Sequence, residues 1–224
     1  VQAKEYLFDK KNTNKIAVLM LNEIHKQHSI DVTSQFHRGG YNSYYNPSTF
    51  NPTTQGTHGG ELVAIKKNFN SKNLEPSLLE VIAEESQHPL AFSASYLRLK
   101  GLTILLCTVY LFCTEGMSER NNAIMFQLSI LRNLVGIPML IFGDFNISSE
   151  TLQESGWVNR LNSKVIKLDI DSTLTTAASS NIDYFLATDD AHLLVQSISP
   201  VDNCPWSPHI GISLQLNQKP TEIT

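Results

Sequence analysis

The sequence predicts a layered α/β fold with mixed β-sheets, and three observations carry that reading. Short apolar runs of strand length recur along the chain, while firm helical spacing marks one segment. Strands and helices do not alternate strictly, which argues against a parallel doubly wound sheet. With 42% hydrophobic and 17% charged residues over 224 positions, there is enough apolar side chain for one substantial core, so one domain over 1–224 is expected.

Residues 16–23 form a nearly unbroken apolar run ending in Asn22 and Glu23, the pattern of a strand buried on both faces with a polar end. From 39 to 60 the chain turns rich in Gly, Asn, Pro, Ser, Thr and Tyr, and reads as a long functional loop. Residues 61–66 and 91–99 read as strands. After Gly101, the β-branched and aromatic run 102–110 makes a hairpin with the strand before it. Ile124, Leu128, Leu131 and Val135 at helical spacing predict a helix over 119–133, opened by Ser118 with Asn121 and stopped by Gly136 and Pro138. Residues 138–143 are another buried strand, with Asp144 and Asn146 just past its end. Residues 181–188, 193–199 and 210–216 read as three more strands.

Composition excludes several function classes. The longest apolar stretches, 102–107 and 135–142, reach roughly half of the about 20 residues needed to span hydrocarbon, so no membrane role is expected. The chain opens on Val1, and Lys4, Glu5, Asp9, Lys10 and Lys11 follow without an apolar signal core. That predicts no secretory leader and a segment of a longer polypeptide. Cys107, Cys113 and Cys204 are odd in number and lack CxxC spacing, which points away from disulfides and structural zinc and toward an intracellular setting, the nucleus among the candidates. A net charge of -4 is not that of a protein gripping polyphosphate by bulk electrostatics, and Lys66, Lys67 and Lys72 read first as a solvated edge.

Polar groups then recur at the ends of apolar strands: Glu23, Asp144 with Asn146, Asp183 and His209. Acidic and amide side chains brought together at strand ends can hold a hard divalent cation. Each group also has a bland reading. Glu23 fits a solvent-facing terminus, and 143–146 fits a turn. Asp183 lies within an apolar run and needs a partner if buried, which His209 can supply. His25 and His58 read as rim residues. Tyr41, Tyr44, Tyr45 and Phe50 suit base stacking or internal packing equally. The sequon at Asn146 overlaps the candidate site, so glycosylation there would block it, in keeping with a non-secreted protein.

In order along 16–216, these residues resemble a known family. Asn22-Glu23 is similar to its Gln-Glu signature, 58–65 to its glycine-led strand, and Val109-Tyr110 to its tyrosine-bearing strand end. Gly143-Asp144-Phe145-Asn146 matches its Gly-Asp-Phe/Leu-Asn motif without change. Ser180-Asn181-Ile182-Asp183-Tyr184 resembles Ser-x-Ile-Asp-Tyr, and Ser207-Pro208-His209 its terminal Ser-Asp-His. The family is the endonuclease/exonuclease/phosphatase superfamily, which includes apurinic endonucleases and endonuclease domains of non-LTR retrotransposons.

The resemblance implies a four-layer α/β/β/α sandwich of two mixed β-sheets flanked by helices, and an Mg²⁺-dependent phosphodiester hydrolase, with Mn²⁺ as the alternative ion. By motif, Glu23 and Asp144 hold metal, Asp144 also positions the attacking water, and Asn146 and Tyr110 contact phosphate. Asp183 orients His209 toward the scissile group. A nucleic acid substrate is implied, DNA favoured over RNA, as in a retrotransposon-type endonuclease. Two departures lower the expected activity. Pro208 stands where the family has a metal-binding Asp, and the family's first strand, with its Asn, precedes this chain. The alternatives are a silent relative serving as a binding module, or a phosphatase or deadenylase of the same superfamily.

Overall fold

The computed structural model describes residues 16–51, 55–174, 181–201 and 207–223. The first half of the chain forms β1 (Val18–Leu21), α1 (Ser29–Arg38), β2 (Tyr41–Asn46), β3 (Thr49–Asn51), β4 (Gly56–His58), β5 (Glu61–Lys66), β6 (Ser71–Asn73), α2 (Pro76–Ser86), β7 (Phe92–Leu99) and β8 (Leu102–Tyr110). The second half forms α3 (Glu119–Val135), β9 (Met139–Asp144), α4 (Ser149–Glu154), α5 (Trp157–Arg160), β10 (Ser163–Ile166), β11 (Asp183–Thr188), α6 (Asp189–His192), β12 (Val195–Val201) and β13 (Gly211–Leu216).

Side chains alternate across a strand, so each central strand feeds two cores. In β8, Leu105, Cys107 and Val109 enter a core that also contains Ile82 of α2, Leu128 and Leu131 of α3, and Leu152 of α4. The intervening Ile104 and Leu106 enter a second core with Val63 and Ile65 of β5 and, from β12 and β13, Ile198 and Leu214. The opposite face of β5, Leu62 and Ala64, packs under Val32 and Phe36 of α1. Apolar alternation on β8 and β5 therefore stacks four layers: helices, a large sheet, smaller sheets, and α1.

The large sheet has six strands in the order β10-β11-β9-β8-β7-β6 and is mixed, since β8 and β9 run parallel while its other neighbours are antiparallel. The facing layer departs from expectation. Instead of a second mixed sheet, the described residues form the antiparallel sheet β1-β5-β2 and a separate antiparallel ribbon β12-β13.

The helix over 119–133 is present as α3, its Ser118 hydroxyl accepting from Asn121 N at 3.3 Å and Gly136 closing it at φ +65°. A cap of this kind contributes about 1 kcal/mol. The predicted loop at 39–60 is instead largely β2, β3 and β4. The YNSYYN sequence of β2 lacks an apolar period of two, and register against β5, from Tyr41↔Lys66 to Asn46↔Glu61, makes it a strand. α1 escaped the pattern because Val32 and Phe36 are its two buried residues.

No helix among the described residues is long and apolar enough to cross a membrane. The expectations about the missing first strand and leader fall on residues 1–15, and those on Ser180 and Cys204 also lie outside the described residues.

Candidate active site

The parity that sorts the cores also assembles one wall of the site. On β9, Leu140 and Phe142 face the core between the sheets, so Asp144, two residues on, faces the same way. On β11, Phe185 and Ala187 face it and so does Asp183; on β8, Ile104 and Leu106 do, and so does Tyr110. Register pairs Asp183 with Asp144 and Tyr110 with Asp144. Three polar side chains thus stand abreast on adjacent strands at one mouth of the sandwich, the acids 3% and 4% exposed. Gly143 is required here because a Cβ would lie 2.5 Å from the Phe145 ring, which stacks on Tyr184 at 4.3 Å between centroids.

The facing wall is a loop. β1 ends at Leu21, so Glu23 lies beyond the strand rather than at its tip, at φ +54°. Ile24 N donates to Gly60 O (3.1 Å), His25 N to Gly59 O (3.2 Å), and Tyr45 Oη to Lys26 O (2.6 Å). Gly60 stands at φ +99°, and a Cβ on it would come 3.1 Å from His25 N. Glycine is what lets this loop lie against β5.

His209 closes the mouth. Its Nδ1–H donates to Asp183 Oδ2 at 2.9 Å, and its Nε2 lies 3.9 Å from both Glu23 Oε2 and Asp144 Oδ2. The hydrogen bond donated to Asp183 pushes the imidazole up to about 9, against the opposing effect of burial and with Asp144 and Glu23 adding to it. Burial, reinforced by Asp183 and Glu23, pushes Asp144 up to about 8, although His209 and the Asn146 amide oppose the shift. Burial and the Glu23 charge also raise the Tyr110 hydroxyl, which stays a proton donor.

Ligand atoms of Glu23, Asp144 and His209 all lie within 4.8 Å of one another. Two carboxylates and an imidazole with its other nitrogen on a carboxylate are a donor set that suits a divalent cation. The proximity of acids that raises Asp144 is the condition such a cation relieves. Glu23 and Asp144 were the ligands expected from sequence, and His209 Nε2 now stands beside them, while the Pro208 side chain carries no ligand atom.

Of the remaining expected residues, Tyr110 completes the strand row. Asn146, at φ +52°, lies beside Asp144, with its amide N donating to Asp144 Oδ1 (3.3 Å) and its Nδ2 to Leu111 O (2.8 Å). It ties β9 to the end of β8. His25 sits on the rim, with Nδ1 hydrogen-bonded to Thr57 O at 2.8 Å. Internal packing accounts for Tyr41, buried against Phe36, and largely for Tyr45, whereas Phe50 is 52% exposed.

Sequence reasoning missed the supports. Fully buried Thr173 accepts through Oγ1 from Ile182 N (3.1 Å) and Asp183 N (3.2 Å), and its carbonyl accepts from Ile210 N (2.7 Å). It joins the two segments that carry Asp183 and His209. Beneath the mouth, the Thr108 hydroxyl donates to Asn22 Oδ1. Glu61, 4% exposed, accepts from Asn46 Nδ2 (2.8 Å) and Gly60 N (3.0 Å), and burial pushes it up to about 7. A Thr in a polar stretch carries no sequence signal, but the acid beginning β5 was visible as a charge within an apolar run.

The fold is similar to that of solved endonuclease and related catalytic domains, the likeness expected of the endonuclease/exonuclease/phosphatase fold. The chain superposes on the endonuclease domain of TRAS1, a telomere-specific non-LTR retrotransposon, with TM-score 0.67 and 15% identity, over 96% of this chain and 93% of that one. The Xenopus laevis APE2 catalytic domain matches at TM-score 0.67 and 16% identity, covering 100% and 90%. The human Nocturnin catalytic domain, with bound sulfate, matches at TM-score 0.62 and 18% identity, covering 95% and 86%. No family model and no curated protein sequence matches the chain.

Proposed function

We propose that this chain is a divalent-metal-dependent phosphodiester hydrolase that acts on nucleic acid inside the cell, with DNA favoured over RNA. The observation that carries the reading is His209, held by Asp183 and facing Glu23 and Asp144 at 3.9 Å across the mouth.

Glu23 and Asp144 would hold Mg²⁺ or Mn²⁺. When bound, the ion supplies Lewis-acid neutralisation of charge on the phosphate oxygens. His209, kept protonated by Asp183, donates from Nε2 to a non-bridging phosphate oxygen as negative charge builds. Asp144 aligns a water and accepts its proton as oxygen attacks phosphorus. The opposite P–O bond breaks, and the leaving oxygen takes a proton from solvent. Tyr110 adds a hydroxyl donor at the same edge.

Pro208 supports a second reading, a binding module without turnover, because the expected third carboxylate is missing there. Supercoiled plasmid and abasic-site DNA, each incubated with Mg²⁺ and with Mn²⁺, separate the two. Cleavage that Asp144→Ala abolishes supports the hydrolase; a folded chain that leaves both substrates intact sinks it.

A further inference from the structure

Next to the catalytic mouth lies a small open pocket of about 140 Å³. Its lining includes His58, Phe112 and Arg120, with Tyr110 on the side of the mouth and Asn46 and Glu61 as polar groups. The aromatic rings form a ladder. His58 meets Phe112 edge-on at 5.8 Å between centroids, and Phe112 meets Tyr110 at 5.6 Å. Arg120 lays its guanidinium carbon over the Phe112 ring, 3.1 Å from the centroid. Its side chain is 51% exposed, and its ion pair with Glu115 is long at 4.0 Å. Tyr110 belongs both to this pocket and to the row with Asp144 and Asp183, so the two spaces share a wall.

The geometry points to a subsite for the nucleobase of the nucleotide that flanks the scissile phosphate. This rests on the nucleic acid reading above and names what holds the substrate beside the reacting group. Aromatic faces with a guanidinium favour a planar ring, through stacking and cation–π attraction. Glu61 and Asn46 in the wall are already paired with each other at 2.8 Å, so the aromatic rings and the guanidinium carry the selection. The anion belongs at the mouth near His209 and the neutral base in the pocket. Internal packing alone explains Phe112 against Tyr110, but not a half-exposed arginine laid over that ring at the lip of an open pocket.

The test is a chemical-shift titration of the whole chain with two probes of equal charge, deoxyadenosine 5′-monophosphate and 2-deoxyribose 5-phosphate. The nucleotide is expected to bind at least about fivefold more tightly, the lower end of what one stacked base supplies. Arg120→Ala, on the surface of α3, and Phe112→Leu should bring the two affinities together while leaving sugar phosphate binding unchanged. Equal affinities in the parent chain, no binding of either probe, or undiminished selectivity in both variants overturns the assignment. Hydrolysis plays no part in this measurement. A chain that selects the nucleotide but never cleaves DNA keeps the pocket and loses the hydrolase, and cleavage without selectivity does the reverse.

Discussion

The two walls of the mouth are built by different means. On the large sheet, Tyr110, Asp144 and Asp183 are aligned by strand register, and each backbone is locked in a ladder. Across from them, Glu23 rides on a left-handed residue in a loop, fixed by Gly59, Gly60 and Tyr45. Changes on the strand wall should therefore alter chemistry and leave the architecture standing. Changes far from Glu23, in the segment that pins its loop, should alter the site indirectly.

The largest expected effect is on the strand wall. Asp144→Ala should lower any hydrolytic rate by about 10²- to 10⁴-fold, the range for a positioned acid–base group. It should also raise the metal-free melting temperature, because it removes a buried acid pressed against Asp183 and Glu23. A fall in both would mean that Asp144 is chiefly a structural residue. On the loop wall, Gly60→Ala should cost about 1–3 kcal/mol, since φ +99° and the approach to His25 N both oppose a side chain. Calorimetric titration with Mn²⁺ should show weakened binding in that variant, and unchanged affinity would show that Glu23 is placed independently of its clamp.

Thr173→Val probes the joint between the Asp183 and His209 segments. Loss of the hydroxyl leaves Ile182 N and Asp183 N without that acceptor, a cost of about 1–3 kcal/mol visible in urea unfolding, with the His209 imidazole titrating at lower pH by NMR. Pro208→Asp should tighten Mn²⁺ binding by about tenfold if position 208 faces the cation, the scale on which groups around a metal tune its affinity. No change would place it outside the site.

The smallest effect is a pH slope. His209, raised from 6.5 to about 9, contributes stability that is complete below pH 6.5 and lost as pH climbs through about 9. Asp144 and Glu61 act in the same direction, for their protonated forms are favoured by folding and each loses that contribution as pH rises through about 8 and about 7. The metal-free melting temperature should therefore fall between pH 6.5 and 9, and saturating Mn²⁺ should flatten the slope. A metal-free temperature that rises over this window contradicts the electrostatic picture of the mouth.

The sequence by itself determined the central strands, α3, and the polar groups that end β9 and begin β11. These signals are local: apolar runs, a Ser cap, a Gly stop, and acids where burial would need a partner. The sequence suggested His209 as the partner of Asp183, and chain folding over the Thr173 joint is what sets them 2.9 Å apart. Tertiary structure alone decided that the tyrosine-rich segment 41–46 is a strand, that the smaller layer is split and antiparallel, and that Glu23 leaves its strand before reaching the site. It likewise decided that Phe112, Arg120 and Glu61 share a pocket. Register and packing between distant segments depend on pairs of residues that no local window contains, so periodicity cannot report them.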